Sequence, residues 1–368
     1  MLQIMIKNVF IPNKKLRKGW TTGACATAAA KACVLALING EFSETVSIKL
    51  PGGEEPNFKL SSQNLDKNQA TAGVIKDAGD DPDVTHGAEI IVTVKVGKTG
   101  EGITFKAGEG VGIVTLPGLP LPPGEPAINP APRKMIENII QELVKTRSKF
   151  SNLQVIISIP GGDKLAKKTW NPRLGVIGGL SILGTTGIVR PYSCSAWIHS
   201  IHRGIDVARA TGLTHVAAST GKTSETAVQK LYQLDDTALI DMGDFAGGVL
   251  KYLRHYPLNK LTIAGGFGKL TKLAQGHLDL HSKRSELDFN KLAENLSELG
   301  ANSETQNLVK HATTALTVLD LTVTRKLPLA DLIANKARER ALATLDGETE
   351  VEVCIFDRDG KLVGRAND

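Results

Sequence analysis

The order of apolar and polar positions divides this 368-residue chain into two stretches of different rhythm. Thr21 and Thr22 offer hydroxyl caps, and Gly23 to Asn39 are mostly Ala, Leu, Val and Cys before Gly40 stops them, which predicts a buried helix with a small-residue face. Val46, Ile48 and Leu50 alternate with Ser47 and Lys49, and Ala88 to Val96 alternates again, so both predict strands. Pro132 opens a helix to about Lys149, and Leu153 to Ile159 reads as a strand ending at Gly161-Gly162. These elements make an α+β unit. Beyond Arg190-Pro191 the period changes: a helix from about Ser193 to Thr211 ends at Gly212, and three short apolar strands follow, Thr214 to Ala218, Ala238 to Met242 and Leu261 to Ala264. Each runs into a glycine-bearing turn and a helical stretch, and a charged helix, Ala330 to Leu345, precedes a fourth strand, Val351 to Phe356. Such alternation is what right-handed βαβ units around a parallel sheet produce. The expected boundary lies near residue 190, giving domains 1–190 and 191–368.

Between the periodic segments glycine and proline dominate. Gly108 to Arg133 holds seven prolines and five glycines, yet Val111, Ile113, Val114, Leu116, Leu119, Leu121 and Ile128 are too apolar for a tether, so an ordered loop pinned to the first domain is expected. Gly175 to Gly187 has five glycines among apolar residues and predicts tight packing or several positive-φ turns.

Hydrophobic residues at 41% and charged ones at 22% are ordinary for a globular protein and exclude long disorder. The 44 Lys and Arg against 38 Asp and Glu give a net charge of +6, which favours anionic partners. With no run of basic residues and only 4% aromatics to stack bases, the expected anion is a small molecule and not a nucleic acid. Cys25, Cys33, Cys194 and Cys354 are dispersed without Cys-x-x-Cys spacing, and neither a signal peptide nor an apolar run of roughly 18 to 20 residues is visible. The expectation is a cytoplasmic protein in a reducing compartment, with no membrane partner.

In an open parallel sheet, ligands sit beyond the carboxyl ends of the strands. Here those turns are Ser219-Thr220-Gly221-Lys222-Thr223, Gly243-Asp244 and Gly265-Gly266-Phe267-Gly268-Lys269. A phosphate loop needs a glycine five residues before Gly221, where Val216 stands, and the last turn lacks Gly-x-Gly-x-x-Gly spacing. What remains is backbone approach at glycines, donors at helix N-termini and an Asp244 able to accept from ribose hydroxyls, which fits an adenosine-containing ligand. Plain chain-turning glycines are the alternative. His277 and His281 stand four apart and would share a helical face, suited to a metal, a substrate carboxylate or packing. Asp77, Asp80 and Asp81 suit turn capping better than a cation, and Cys25 in its apolar helix suits the core. Arg17-Lys18-Gly19-Trp20-Thr21-Thr22-Gly23 brings two cations, two hydroxyls and a helix N-terminus together, a place for an anion.

Lys18 to Ala26 resembles the N-terminal signature of the CbiD family, the cobalt-precorrin-5B (carbon 1)-methyltransferases of anaerobic cobalamin biosynthesis. So do Lys76 to Asp83, Gly108 to Met135, Asn171 to Arg190 (NPRLGVIGGLSILGTTGIVR) and Gly265 to Ser282, in one order from about residue 16 to about 290. The resemblance implies an N-terminal α+β domain like a permuted domain 2 of ribosomal protein S5, and a C-terminal α/β domain with a four-stranded parallel sheet. It implies methyl transfer from S-adenosylmethionine to carbon 1 of a ring-contracted tetrapyrrole, with cobalt carried by the substrate and no metal site in the protein. The cofactor is then expected on the second domain at Thr220, Gly221, Gly243, Asp244, Gly265, Gly266 and Gly268. The polyacidic macrocycle is expected between the domains at Arg17, Lys18, Thr21, Thr22, Asp77, Asp80, Asp81, Arg173, Arg190 and His281. The catalytic residues are left unassigned. Transient contact with neighbouring cobalamin-pathway enzymes is implied as well. Trp20 and Ala24 stand where the family more typically has Tyr or Phe and a small hydroxyl residue, and Lys222 is unusual in its turn, which leaves open which hydroxyls orient the substrate. A non-catalytic tetrapyrrole carrier is the competing reading.

Overall fold

The structure is a computed structural model and describes residues 16–97, 100–145, 150 and 152–367. The N-terminal segment read above for a signal peptide, and the expected helix end at Lys149, lie outside the described residues. The chain divides into two compact units, Met1–Ser193 and Cys194–Asp368.

In the first unit a short strand β1 (Gly19–Trp20) leads into helix α1 (Thr22–Asn39). Thr21 Oγ1 accepts from the Ala24 N–H at 3.1 Å, and Gly40, at φ 85°, donates to Ala36 O, so both ends are closed as their residue types allow. The helix is apolar and long enough to cross a membrane, but 72% of that window is buried within the protein, so it is a core helix. Next come β2 (Thr45–Ser47), β3 (Asn57–Lys59), β4 (Ser62–Asp66), β5 (Gln69–Ile75), β6 (Glu89–Val96), β7 (Ile103–Ala107) and β8 (Ile113–Val114). Helix α2 (Pro130–Val144), β9 (Leu153–Ser158), the short α3 (Gly162–Ala166), β10 (Val176–Ile177) and β11 (Ile188–Val189) complete the unit. Helix α2 starts two residues before the expected Pro132, because prolines in a first turn lose no helical hydrogen bond.

The main sheet has the order β4-β5-β6-β9-β7, antiparallel except for β7 beside β9. Alternation buries Ile90, Val92 and Val94 of β6 and Leu153, Val155 and Ile157 of β9 on one face. Helix α1 covers that face with alanines, so backbone and sheet approach closely, and α2 packs beside it.

The second unit runs α4 (Cys194–Ala210), β12 (His215–Ser219), α5 (Lys222–Tyr232), β13 (Leu239–Asp241), α6 (Ala246–His255), β14 (Lys260–Gly266) and α7 (Phe267–Ala274). Then follow α8 (Phe289–Glu298), α9 (Ser303–Lys310), α10 (Ala315–Thr324), α11 (Leu329–Leu345), β15 (Glu350–Phe356) and β16 (Leu362–Ala366). The sheet order is β13-β12-β14-β15-β16. Four strands are parallel, and β16 adds a fifth, antiparallel one, so the sheet is larger than the four strands expected. Buried Glu352 fixes this edge: it accepts from Thr262 Oγ1 at 2.8 Å, Tyr232 Oη at 2.6 Å and the β16 Arg365 Nε at 2.8 Å.

Strand β12 leads outward to β13, and β13 leads back past β12 to β14. Right-handed crossovers in opposite directions need helices on opposite faces. Accordingly α5 covers one face over Ala217, Leu239 and Ala264, while α4, α6, α7 and α11 bury the larger core on the other. The reversal falls between β12 and β14, and that is where such a sheet offers a ligand its place.

Candidate active site

In the first unit the signature segments interlock. Strand β1 pairs with β11, Gly19 opposite Val189 and Trp20 opposite Ile188. Trp20 N donates to Asp77 O at 2.7 Å, Asp80 N donates to Arg17 O at 3.0 Å, and Arg17 N donates to Asp80 Oδ2 at 2.6 Å. A Cβ on Gly19 would fall 2.1 Å from the Ala78 carbonyl carbon, so only glycine lets the two backbones touch. The Arg17 guanidinium grips both oxygens of Asp77, Nη2 to Oδ1 at 2.9 Å, and holds that carboxyl down at a pKa of about 2. Asp81 accepts from Tyr192 N at 2.8 Å, and its pKa is raised by burial. Lys76 is fully buried, its ammonium bound to Asp83 at 2.6 Å. Burial works against ionisation of Asp83, but Lys76 and Thr85 outweigh it and lower its pKa.

The hydroxyls expected on substrate already have partners. Thr21 caps α1, and Thr22 Oγ1 accepts from Leu183 N at 3.0 Å, so the glycine loop 175–187 wraps the start of that helix. Lys18 and Arg190 are exposed, and Arg173 lies in the 3-10 turn Pro172–Leu174. Cys25 and Cys33 are buried, and desolvation pushes each thiol up to about 12, which suits packing and not nucleophilic work. Among the described residues no three His, Cys, Asp or Glu side chains are placed to hold a metal ion.

In the second unit the three predicted turns do stand at the ends of parallel strands. Thr220 N donates to Ala264 O at 2.9 Å, joining the first turn to β14. A Cβ on Gly265 would lie 2.9 Å from Thr220 Cγ2 and Oγ1, so this glycine accommodates the threonine. Gly221 and Gly266 are the N-caps of α5 and α7 without side-chain caps. Gly243 takes φ 52° beside the Trp197 ring. Gly268 faces Ala315 of α10, a packing reason for its small size. Ser219, which the spacing argument passed over, ends β12 at 0% exposure with no hydrogen-bond partner for its hydroxyl among the described residues. By strand alternation from Ala217 it points to the α5 face, under the first turn of that helix. Its signal in the sequence was its position directly before Thr220-Gly221.

Asp244 pairs with Lys269, and its backbone O accepts from Leu280 N at 2.8 Å. Lys269 and the buried Lys272 each donate to Leu280 O at 3.2 Å. Burial, and then the neighbouring Lys269, lower the Lys272 pKa. His277 and His281 are not on a helix, correcting the helical-face expectation: α7 ends at Ala274, Gly276 takes φ 100°, and the chain turns. His281 Nδ1 accepts from Lys283 N at 3.1 Å.

An α+β unit and a mostly parallel sheet with glycine-bearing turns at its reversal point define a two-unit α+β protein, and strand-end turns of this kind are where open sheets take small ligands. Residues 10–191 match the CbiD family and residues 279–367 the CbiD C-terminal domain. A Brucella anthropi protein named cobalt-precorrin-5B C(1)-methyltransferase is 58% identical over 95% of this chain and 96% of its own length. The Brucella suis protein of the same name is 57% identical with the same coverage. A crystal structure of cobalamin biosynthesis protein CbiD from Archaeoglobus fulgidus is 30% identical, covering 73% of this chain and 83% of that one, with a TM-score of 0.39. This chain belongs to the CbiD family.

Proposed function

We propose that this chain transfers a methyl group from S-adenosylmethionine to carbon 1 of cobalt-precorrin-5B, giving cobalt-precorrin-6A and S-adenosylhomocysteine in cobalamin biosynthesis. The observation that carries the reading is 57 to 58% identity, across 95% of the chain, to proteins named as C(1)-methyltransferases.

The second unit is assigned the cofactor, held by Thr220, Gly221, Gly243, Asp244, Gly265 and Gly266, with Gly268 supporting them from within α7. Ser219 lies directly beneath these turns, its buried hydroxyl without a partner among the described residues at a cost of about 1 to 3 kcal/mol. The first unit is assigned the macrocycle, with Arg17, Lys18, Arg173 and Arg190 facing its carboxylates and Thr21, Thr22 and the Asp77, Asp80 and Asp81 loop shaping the surface. We assign this unit the permuted S5-like topology, place cobalt on the substrate, and place the protein in the cytoplasm, where it would meet neighbouring pathway enzymes transiently.

S-adenosylmethionine supplies a methyl on a sulfonium: the ring carbon's electron pair forms the new bond, and the S–CH3 pair stays on sulfur. The chain's task is alignment. Fixed turns that hold the adenosyl group convert a bimolecular encounter into an oriented one, a gain of roughly 7 to 11 kcal/mol in well-placed systems. A strong base is not required for that step, which agrees with buried cysteine thiols and with carboxylates committed to ion pairs.

Incubation with methyl-labelled S-adenosylmethionine and cobalt-precorrin-5B tests the proposal. Label should appear in the corrinoid at carbon 1. A carrier would leave it on the cofactor.

A further inference from the structure

We propose that Lys269 and Lys272 form a carboxylate-binding subsite beside Asp244, an inference that rests on the methyltransferase reading and refines it. Both lysines lie on α7, three residues apart and therefore on one face. Their ammonium groups converge on a single acceptor, Leu280 O, at 3.2 Å each. Lys269 has a counter-ion in Asp244. Lys272 is only 7% exposed and joins no ion pair among the described residues. The other acids whose charge reaches it are committed or solvated: Asp279 is bound to Arg284 at 2.5 Å, and Glu286 is exposed.

A buried ammonium that meets one amide carbonyl has two N–H groups unspent, and two like charges at one oxygen repel. An arriving carboxylate relieves both conditions, because its two oxygens can bridge two ammonium groups. Lys269, with 35% of its side chain exposed, gives the entrance, and Lys272 adds charge from beneath. The same turn offers Asp244 to ribose hydroxyls, so the methionyl carboxylate of the cofactor and an acetate or propionate arm of the macrocycle share the required chemistry.

The test uses the full chain, wild type and Lys272→Met, with three measurements: thermal unfolding, calorimetric affinity for S-adenosylhomocysteine and for its decarboxylated analogue, and steady-state kinetics with cobalt-precorrin-5B. Lys272→Met should unfold at or above the wild-type temperature, since a buried charge is removed. If the cofactor's carboxylate occupies the subsite, affinity for S-adenosylhomocysteine falls about tenfold or more while the decarboxylated analogue is unaffected. If a macrocycle carboxylate occupies it, S-adenosylhomocysteine binds as before and KM for cobalt-precorrin-5B rises about tenfold at unchanged kcat. Should Lys272→Met fail to fold, Lys272→Gln, which keeps an N–H for Leu280 O, carries the same comparison. A folded variant with wild-type affinity for S-adenosylhomocysteine and wild-type KM for cobalt-precorrin-5B overturns the subsite and leaves the methyltransferase reading standing. So does a variant whose losses are equal for the two adenosyl ligands at unchanged KM. Wild-type protein that neither binds S-adenosylhomocysteine nor methylates overturns the parent reading and the subsite together.

Discussion

Arg17 and Asp77, sixty residues apart in the chain, make the ion pair that joins the β1 approach to the acidic loop. The Asp77 carboxyl has a pKa near 2 when folded, against 3.8 ordinarily, so its contribution to stability is present above 3.8 and is lost as pH falls toward 2. Asp77→Asn should therefore lower stability at neutral pH and flatten the acid limb between those values, as urea titrations at pH 7, 3.5 and 2.5 would show. The carboxylate is 42% exposed, so screening keeps the difference to about 1 kcal/mol or less. An unchanged acid limb would mean that the pair is not formed in solution. Ser219 and Lys272 make the opposite point about single residues. A serine at a strand end and a lysine in an amphipathic helix have unremarkable sequence surroundings, and only burial without adequate partners marks them.

Among the elements, the turn between β12 and α5 is locked to the end of β14 by the contact of Thr220 with Gly265. Gly265→Ala should cost about 1 to 3 kcal/mol by overpacking against Thr220 and, at 3.0 Å, Leu270 Cγ, and Thr220→Ala in the same chain should recover part of it, a coupling that chemical denaturation of the four proteins would measure. Additive losses would place the strain elsewhere. Elements with strong local signals were legible in the sequence: α1 from Thr21 and Gly40, β6 from alternation, β9 as a strand ending at Gly161-Gly162, and the βα order of the second unit. Strands β3 and β4 carry one apolar residue each in Asn57–Lys59 and Ser62–Asp66, too few to reveal a period. Strand β16 contains Gly364, needed because a Cβ would meet the Ala330 backbone at 2.5 Å, and Arg365, needed by Glu352, so tertiary demands erased its local pattern. The turns of the candidate site were legible as glycines at strand ends. The His277–His281 spacing misled, since Gly276 breaks the helix that would have given it meaning.

At the scale of the whole molecule, each unit has its own sheet and its own buried core. If the adenosyl ligand belongs to the second unit, residues 194–368 expressed alone should unfold in one cooperative transition and bind S-adenosylhomocysteine within about tenfold of the full chain, as calorimetry would report. A folded fragment without affinity would assign the ligand differently. The first unit has a further property. Its strand β9 sits between β6 and β7 although it is made after both. While the ribosome is still translating, the earlier strands wait with a vacant lane between them, and their backbone amides stay open to mispairing until Leu153–Ser158 emerges to fill it. Nascent chains halted short of that point should be the ones that chaperones hold.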